Sequence, residues 1–277
     1  MPKALGVGEF GMAFRRLLRG EIDDAQLDAV LAEVEARYDQ PADSVRILDA
    51  NNWLSTPLVV NDRYFVKVIS RQHALVHALL TAGRNLGAYS SGSEGFFQRF
   101  ATPLEMAEHE LDATERMQEI DVNVPRPVEA FGCEGLGVLV MEYLPEFETL
   151  DDLSAAAVER HAVDIFASLQ AMHEAGFAHG DLRSENVLVS KGDLYFIDAT
   201  KVDEANLADA RAYDIACALA VLEPLVGTTA AVQAALSVYG PEIVLTAREF
   251  LDFVNIRPDH DFDVVGVKGE LDKSVDP

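Results

Sequence analysis

The sequence predicts an α+β fold in two lobes, a small antiparallel sheet followed by a mainly helical second half. Three observations carry that expectation. Short apolar runs rich in Val, Ile, Tyr and Phe, separated by turn residues, crowd between residues 45 and 142. From Thr149 onward the apolar residues recur at helical spacing instead. The chain has 277 residues, 49% of them hydrophobic, which is ample for a core and unlike a disordered composition.

The elements follow in order. Residues 22–38 place Leu27, Val30, Leu31, Val34 and Tyr38 at helical spacing, with Asp23 or Asp24 able to cap the start and Pro41 beyond the end. Residues 1–43 are therefore expected to form an N-terminal helical extension. Strands are expected at Val45–Ala50, Pro57–Val60 and Arg63–Ile69, with a tight turn at Asn61–Asp62. Residues 71–82 read as helix, and the Gly- and Ser-rich 82–95 as a flexible insertion. A second helix spans 103–120, with Pro103 in its first turn. "VPRPVEAF" and "GVLVMEYLP" supply two more strands, which completes a first lobe over 44–143 and puts a cleft near Glu142–Pro145. The second lobe, 144–277, opens with a helix closed by Gly176. Two short strands flank "SKGD", and residues 202–258 are mostly helical, with a turn near Glu223–Thr228. An acidic tail from about 258 is expected to be loosely held.

The formal charge is −25, from 47 acidic and 22 basic residues; only six of the basic residues are Lys. Such a surface repels itself unless salt screens it, and at about 1 M salt the Debye length is only about 3 Å. Strong acidity with few lysines resembles proteins of salt-in halophiles such as haloarchaea. It argues against nonspecific nucleic-acid binding, since little positive charge is available to displace counterions. Cys133 and Cys217 have no CxxC partners and imply no disulfide framework, as expected for a reducing cytoplasm. No signal peptide is evident, and Glu223 and Pro224 interrupt the most apolar segment, so no membrane span is expected.

The chemistry concentrates in "AHGDLRSENVLVSKGDLYFIDAT", which starts at Ala178. Asp181 and Asn186 lie five residues apart, and Asp198 follows twelve further on, after an apolar strand. Each residue alone could be turn-forming. Together, a loop carrying Asp and Asn and a hairpin returning a second Asp can converge on a phosphate–metal cluster. One carboxylate then orients an attacking hydroxyl, while an amide and a carboxylate hold Mg²⁺ through oxygen.

Here the sequence resembles the protein-kinase-like superfamily over roughly residues 45–222. "HGDLRSENVLV" is similar to its catalytic loop and "YFIDAT" to its metal-binding segment. The resemblance implies a bilobal protein-kinase-like fold that uses ATP and Mg²⁺. Asp181 takes the place of the catalytic base, Asn186 and Asp198 those of the Mg²⁺ ligands, and His179 that of the loop's structural histidine. Arg183 stands where many kinases put a lysine near the γ-phosphate. Lys67 in "YFVKVI" matches the third-strand lysine, paired with Glu110, or with Glu108 or Glu115 as rivals. Met141, Glu142 and Leu144 match the hinge that binds adenine. Asp214 in "AYDIACAL" matches the buried aspartate that braces the loop, or else caps its helix.

Two features depart from the superfamily pattern. "DANNWLSTP" has no glycine, so it is no glycine-rich lid, and Ser55 and Thr56 are left as its hydroxyl substitutes; Trp53 reads as core packing. "IDAT" replaces DFG, and no APE segment follows. With HGD in place of HRD, these features resemble the RIO kinases, whose insertion after the third strand falls at 82–95. The kinase of the tRNA threonylcarbamoylation complex, the aminoglycoside and choline phosphotransferases and the lipopolysaccharide-core kinases are similar in their HGD loops.

The resemblance therefore implies an atypical, RIO-like kinase that transfers the γ-phosphate of ATP to a Ser/Thr hydroxyl, with a protein as the favoured acceptor. A small-molecule acceptor is the alternative within the same class, and a nucleotide-binding pseudokinase or ATPase switch the alternative outside it. Oligomeric state is not legible.

Overall fold

The computed structural model describes residues 22–48, 55–75, 77, 81, 85, 97, 100–200, 206–257 and 260–274. Trp53, most of the "DANNWLSTP" segment and all of the 82–95 insertion except Asn85 lie outside the described residues. The architecture is the expected one: an antiparallel sheet in the N-terminal part and a mostly helical C-terminal part. The chain divides into two compact units. The first comprises 1–81, 99–112 and 126–143, and the second 82–98, 113–125 and 144–277.

The first unit opens with α1 (Asp24–Tyr38), whose N-cap Asp23 accepts a hydrogen bond from the Gln26 N–H. Five strands follow: β1 (Val45–Ile47), β2 (Thr56–Val60), β3 (Tyr64–Ile69), β4 (Pro127–Cys133) and β5 (Leu136–Glu142). They pair antiparallel in the order β1-β2-β3-β5-β4. The β2–β3 turn has positive φ at Asn61 (55°) and Asp62 (49°), a primed-turn geometry that matches the right-handed twist of its strands. Residues 71–75 are helical.

Side chains alternate across a strand, so the sheet has two apolar faces. Val66 and Val68 of β3, with Val138 and Val140 of β5, pack with Val30 and Val34 of α1. Ile69, Leu139 and Met141 pack on the opposite face with Met106 and Ala107 of α2 (Pro103–Glu119). Lys67, out of step with Val66 and Val68, belongs to that second face. Gly137 lies there too, and a Cβ on it would stand 2.1 Å from the Pro103 carbonyl oxygen. The start of α2 can therefore approach β5 closely only because that position carries no side chain.

The second unit holds a small sheet, β6 (Phe147–Thr149), β7 (Val187–Ser190) and β8 (Asp193–Phe196), in that order. "KG" turns the β7–β8 hairpin with positive φ at Lys191 and Gly192. The helices are α3 (Ala155–Glu174), α4 (Leu207–Val226), α5 (Thr228–Val238), α6 (Pro241–Thr246), α7 (Leu251–Ile256) and α8 (Val264–Lys273). Helices α4 and α5 meet at Gly227, inside the predicted turn. One large apolar cluster joins α3, α4, α5 and the hairpin. The acidic tail differs from expectation. Its 264–273 segment is helical, with Val267 and Leu271 fully buried, because those apolar residues share a face that the surrounding acids obscure in the sequence. Among the described residues, no helix is long and apolar enough to cross a membrane.

Candidate functional site

In the first unit the Lys67 ammonium lies 2.8 Å from both carboxylate oxygens of Glu110. The residues are 4% and 5% exposed, so this is a buried ion pair. Strand alternation aims Lys67 at α2, and Glu110 is on the inward face of that helix. Glu108 and Glu115 are exposed, which separates the three candidates. Met141 and Glu142 end β5; Met141 is buried, and the Glu142 N–H donates to the Arg126 carbonyl. Thr56 begins β2 opposite Val68. Ser55 is 4% exposed, and its Oγ has no hydrogen-bond partner among the described residues.

In the second unit the loop 177–186 links α3 to β7, and Asp214 organises it. Asp214 lies inside α4, whose N-cap is Asn206, so the helix-cap alternative fails. Its carboxylate accepts the backbone N–H groups of His179 and Gly180, each at 2.7 Å, and His173 Nε2 at 3.0 Å. Gly180 sits at φ 75°, where a side chain would be strained, and this conformation turns the two successive N–H groups onto one acceptor. Tyr239 Oη lies 2.8 Å from His173 Nδ1, and burial raises the Tyr239 pKa.

His179 stitches the loop to the segment that carries Asp198. Its Nε2 lies 3.0 Å from the Ile197 carbonyl, and its Nδ1 lies 3.4 Å from the Asp181 N–H. Burial lowers the imidazole pKa, so the ring is neutral, with the proton on Nε2 and a lone pair on Nδ1. Two backbone bonds complete the seam, Ile197 N–H to the Asn186 carbonyl (3.1 Å) and Thr200 N–H to the His179 carbonyl (2.8 Å). The segments carrying Asp181, Asn186 and Asp198 therefore run side by side.

Asn186 donates its Nδ2 to the Asp181 carbonyl at 2.8 Å, and this fixes which end of the carboxamide is the oxygen. Asp198 sits at φ 61°, a left-handed conformation that is uncommon outside glycine and frequent at functional positions. Carboxylate and amide oxygens are hard donors of the kind that suits Mg²⁺; among the described residues no group of three or more His, Cys, Asp or Glu could hold a metal ion. Arg183 ion-pairs with Glu185, and its Nε lies 3.6 Å from Asp181 Oδ2. Leu144 is half-buried between β5 and β6.

Three neighbours of this loop carry no motif in the sequence. His173 and Tyr239 extend the Asp214 network, and Arg257 donates to Asp181 Oδ1 at 2.8 Å. Arg257 is 76 residues from its partner, so no local spacing announces it.

Residues 95–222 match the family model described as the RIO domain. That stretch is under half of the chain, and with the motif spacing it makes this region similar to the atypical, RIO-type protein-kinase-like domains. The chain is also similar to the KEOPS complex subunit Bud32 of Pyrococcus abyssi, at 33% identity over 104 residues. That stretch is 36% of this chain and 46% of Bud32, so the match spans under half of the relative. Among solved structures, a Neurospora crassa PAN3 pseudokinase mutant has a TM-score of 0.44 at 13% identity, over 92% of this chain and 70% of PAN3. WbdD, solved with the kinase inhibitor LY294002, has a TM-score of 0.39 at 18% identity, over 85% of this chain and 46% of WbdD. Likenesses this distant say nothing about activity.

Proposed function

We propose that this chain is an ATP- and Mg²⁺-dependent phosphotransferase that moves the γ-phosphate to a Ser/Thr hydroxyl of a protein acceptor. The observation that carries the reading is the braced loop. Asp214 holds the 179–180 backbone while the Ile197 and Thr200 bonds align the Asp198 segment beside Asp181 and Asn186. A fold that only bound nucleotide would have no use for an acid held at the Asp181 position.

The acceptor oxygen forms a bond to the γ-phosphorus as the bond to the bridging oxygen breaks. ADP leaves, and the hydroxyl proton passes to the Asp181 carboxylate. Asn186 and Asp198 would hold Mg²⁺, which would supply charge neutralisation at the phosphates. Lys67, kept extended by Glu110, steadies the α- and β-phosphates, and Arg183 offsets charge near the γ-phosphate. Met141, Glu142 and Leu144 receive adenine, with Ser55 and Thr56 beside the phosphates. Positioning and charge stabilisation account for most of the acceleration. The resemblance to a subunit of a multiprotein complex supports a protein as acceptor or partner.

The test is incubation with γ-labelled ATP and Mg²⁺ in molar KCl, chosen for the −25 charge. Label is expected on protein with the wild type and absent with Asp181→Ala, while both bind nucleotide. Wild-type transfer by Asp181→Ala would overturn the assignment. Label appearing on small molecules instead identifies the alternative acceptor class, and binding without transfer identifies a switch module.

A further inference from the structure

Arg257 follows α7, and its guanidinium is buried at 8% exposure. A cation in that setting requires specific partners, because burial removes its hydration. Nη2 donates to Asp181 Oδ1 at 2.8 Å, and Nη1 donates to the Tyr213 hydroxyl. Tyr213 is itself fully buried on α4, with its ring packed by Phe97, Phe250 and Phe253. The guanidinium is planar and its donors are fixed relative to one another, so bonds from two of its nitrogens set its orientation. That orientation in turn sets the direction of the Asp181 carboxylate.

The division of labour is geometric. Asp214 accepts the N–H groups of 179 and 180 and so holds the main chain of the loop. The Asp181 carboxylate is held by its cationic neighbours instead, with Arg183 Nε 3.6 Å from Oδ2 and Arg257 Nη2 at 2.8 Å from Oδ1. The Arg257–Tyr213 pair supplies the shorter and more buried of these two contacts. The residues adjoin in the helix, Tyr213 serving the carboxylate through Arg257 and Asp214 serving the backbone. The rate of phosphoryl transfer depends steeply on such alignment, because the protein contributes mainly position and charge.

We propose that Arg257, oriented by Tyr213, is a positioning residue that holds the Asp181 carboxylate in the direction from which it meets the acceptor hydroxyl. The proposal rests on the phosphotransferase reading above. It predicts a split between kcat and KM, since Arg257 acts on the acid that orients the acceptor.

The experiment compares full-length wild type, Arg257→Met, Arg257→Lys and Tyr213→Phe in ATP-dependent transfer, with melting temperature and circular dichroism recorded for each. Arg257→Met should lower kcat on the order of 100-fold while the KM for ATP stays within about twofold. Arg257→Lys, which keeps a cation that can reach Asp181, should recover part of the loss. Tyr213→Phe keeps the packed ring and loses only the hydroxyl; it should fold like wild type and lower kcat by about tenfold. Should Arg257→Met fail to fold, the Lys and Phe variants decide. Wild-type kcat in folded Arg257→Met, or in folded Arg257→Lys and Tyr213→Phe together, overturns the proposal, as does a loss confined to KM. Failure of the parent reading looks different: folded wild type itself transfers no phosphate.

Discussion

Glu110 and Asp214 are both buried carboxylates, one in each unit, at 5% and 0% exposure. Their surroundings differ. Glu110 faces a cation, with Lys67 Nζ at 2.8 Å from both oxygens. Asp214 instead collects two backbone N–H groups and an imidazole. A buried ion pair is weak evidence of stabilisation, because the desolvation of both charges offsets their attraction. Donors gathered from a loop's main chain are another matter, since without that acceptor they would be buried and unsatisfied. The comparison teaches that Asp214 belongs to the fold's integrity, whereas Lys67 and Glu110 hold charge in place for something else.

The most forceful way to break the comparison is Asp214→Ala. It strips three donors of their acceptor and should cost about 5 kcal/mol, read from urea unfolding midpoints. A loss below about 1 kcal/mol would mean the loop stands without its brace. Next comes Lys67→Met, which leaves Glu110 buried without its cation and should cost about 3 kcal/mol. Adding Glu110→Leu should restore stability to within about 1 kcal/mol of wild type, while phosphate transfer stays lost. A double variant that remains as unstable as the single one would show the pair to be structural after all.

The smallest effect concerns the thiols, one in each unit. Cys217 is fully buried, and burial pushes its pKa up to about 12. Cys133 ends β4 half-exposed, with a smaller rise also led by burial. At pH 8 a thiol reagent should therefore label one cysteine per folded chain, at Cys133, and reach Cys217 at least about 100-fold more slowly. Equal labelling rates in folded protein would show that the α4 core opens far more readily than its packing implies.

Much of the fold is legible along the chain because its signals are local. Strand alternation marks β2, β3 and β5, and "SKGD" marks the β7–β8 turn. Three positions of the candidate site were legible as a motif, because Asp181, Asn186 and Asp198 keep a fixed spacing. Glu110 was the first choice among the glutamates, but the sequence did not separate it from Glu108 and Glu115. All three sit on one acid-rich helix, and only the packing of α2 against the sheet buries one of them. The 264–273 helix was obscured for a related reason, since its flanking acids outweigh the apolar residues that face the core.

By itself, the sequence determined the order of strands and helices, the charge of −25 and the spacing of the loop acids, all set by neighbours along the chain. Only the tertiary structure decided what meets across long separations. It aimed Lys67 at Glu110, 43 residues away, placed Asp214 beneath the 179–180 backbone and brought Arg257 to Asp181. The physical reason is that a buried charge requires a partner of opposite sign or a matched donor, and chain proximity does not specify which one folding will supply.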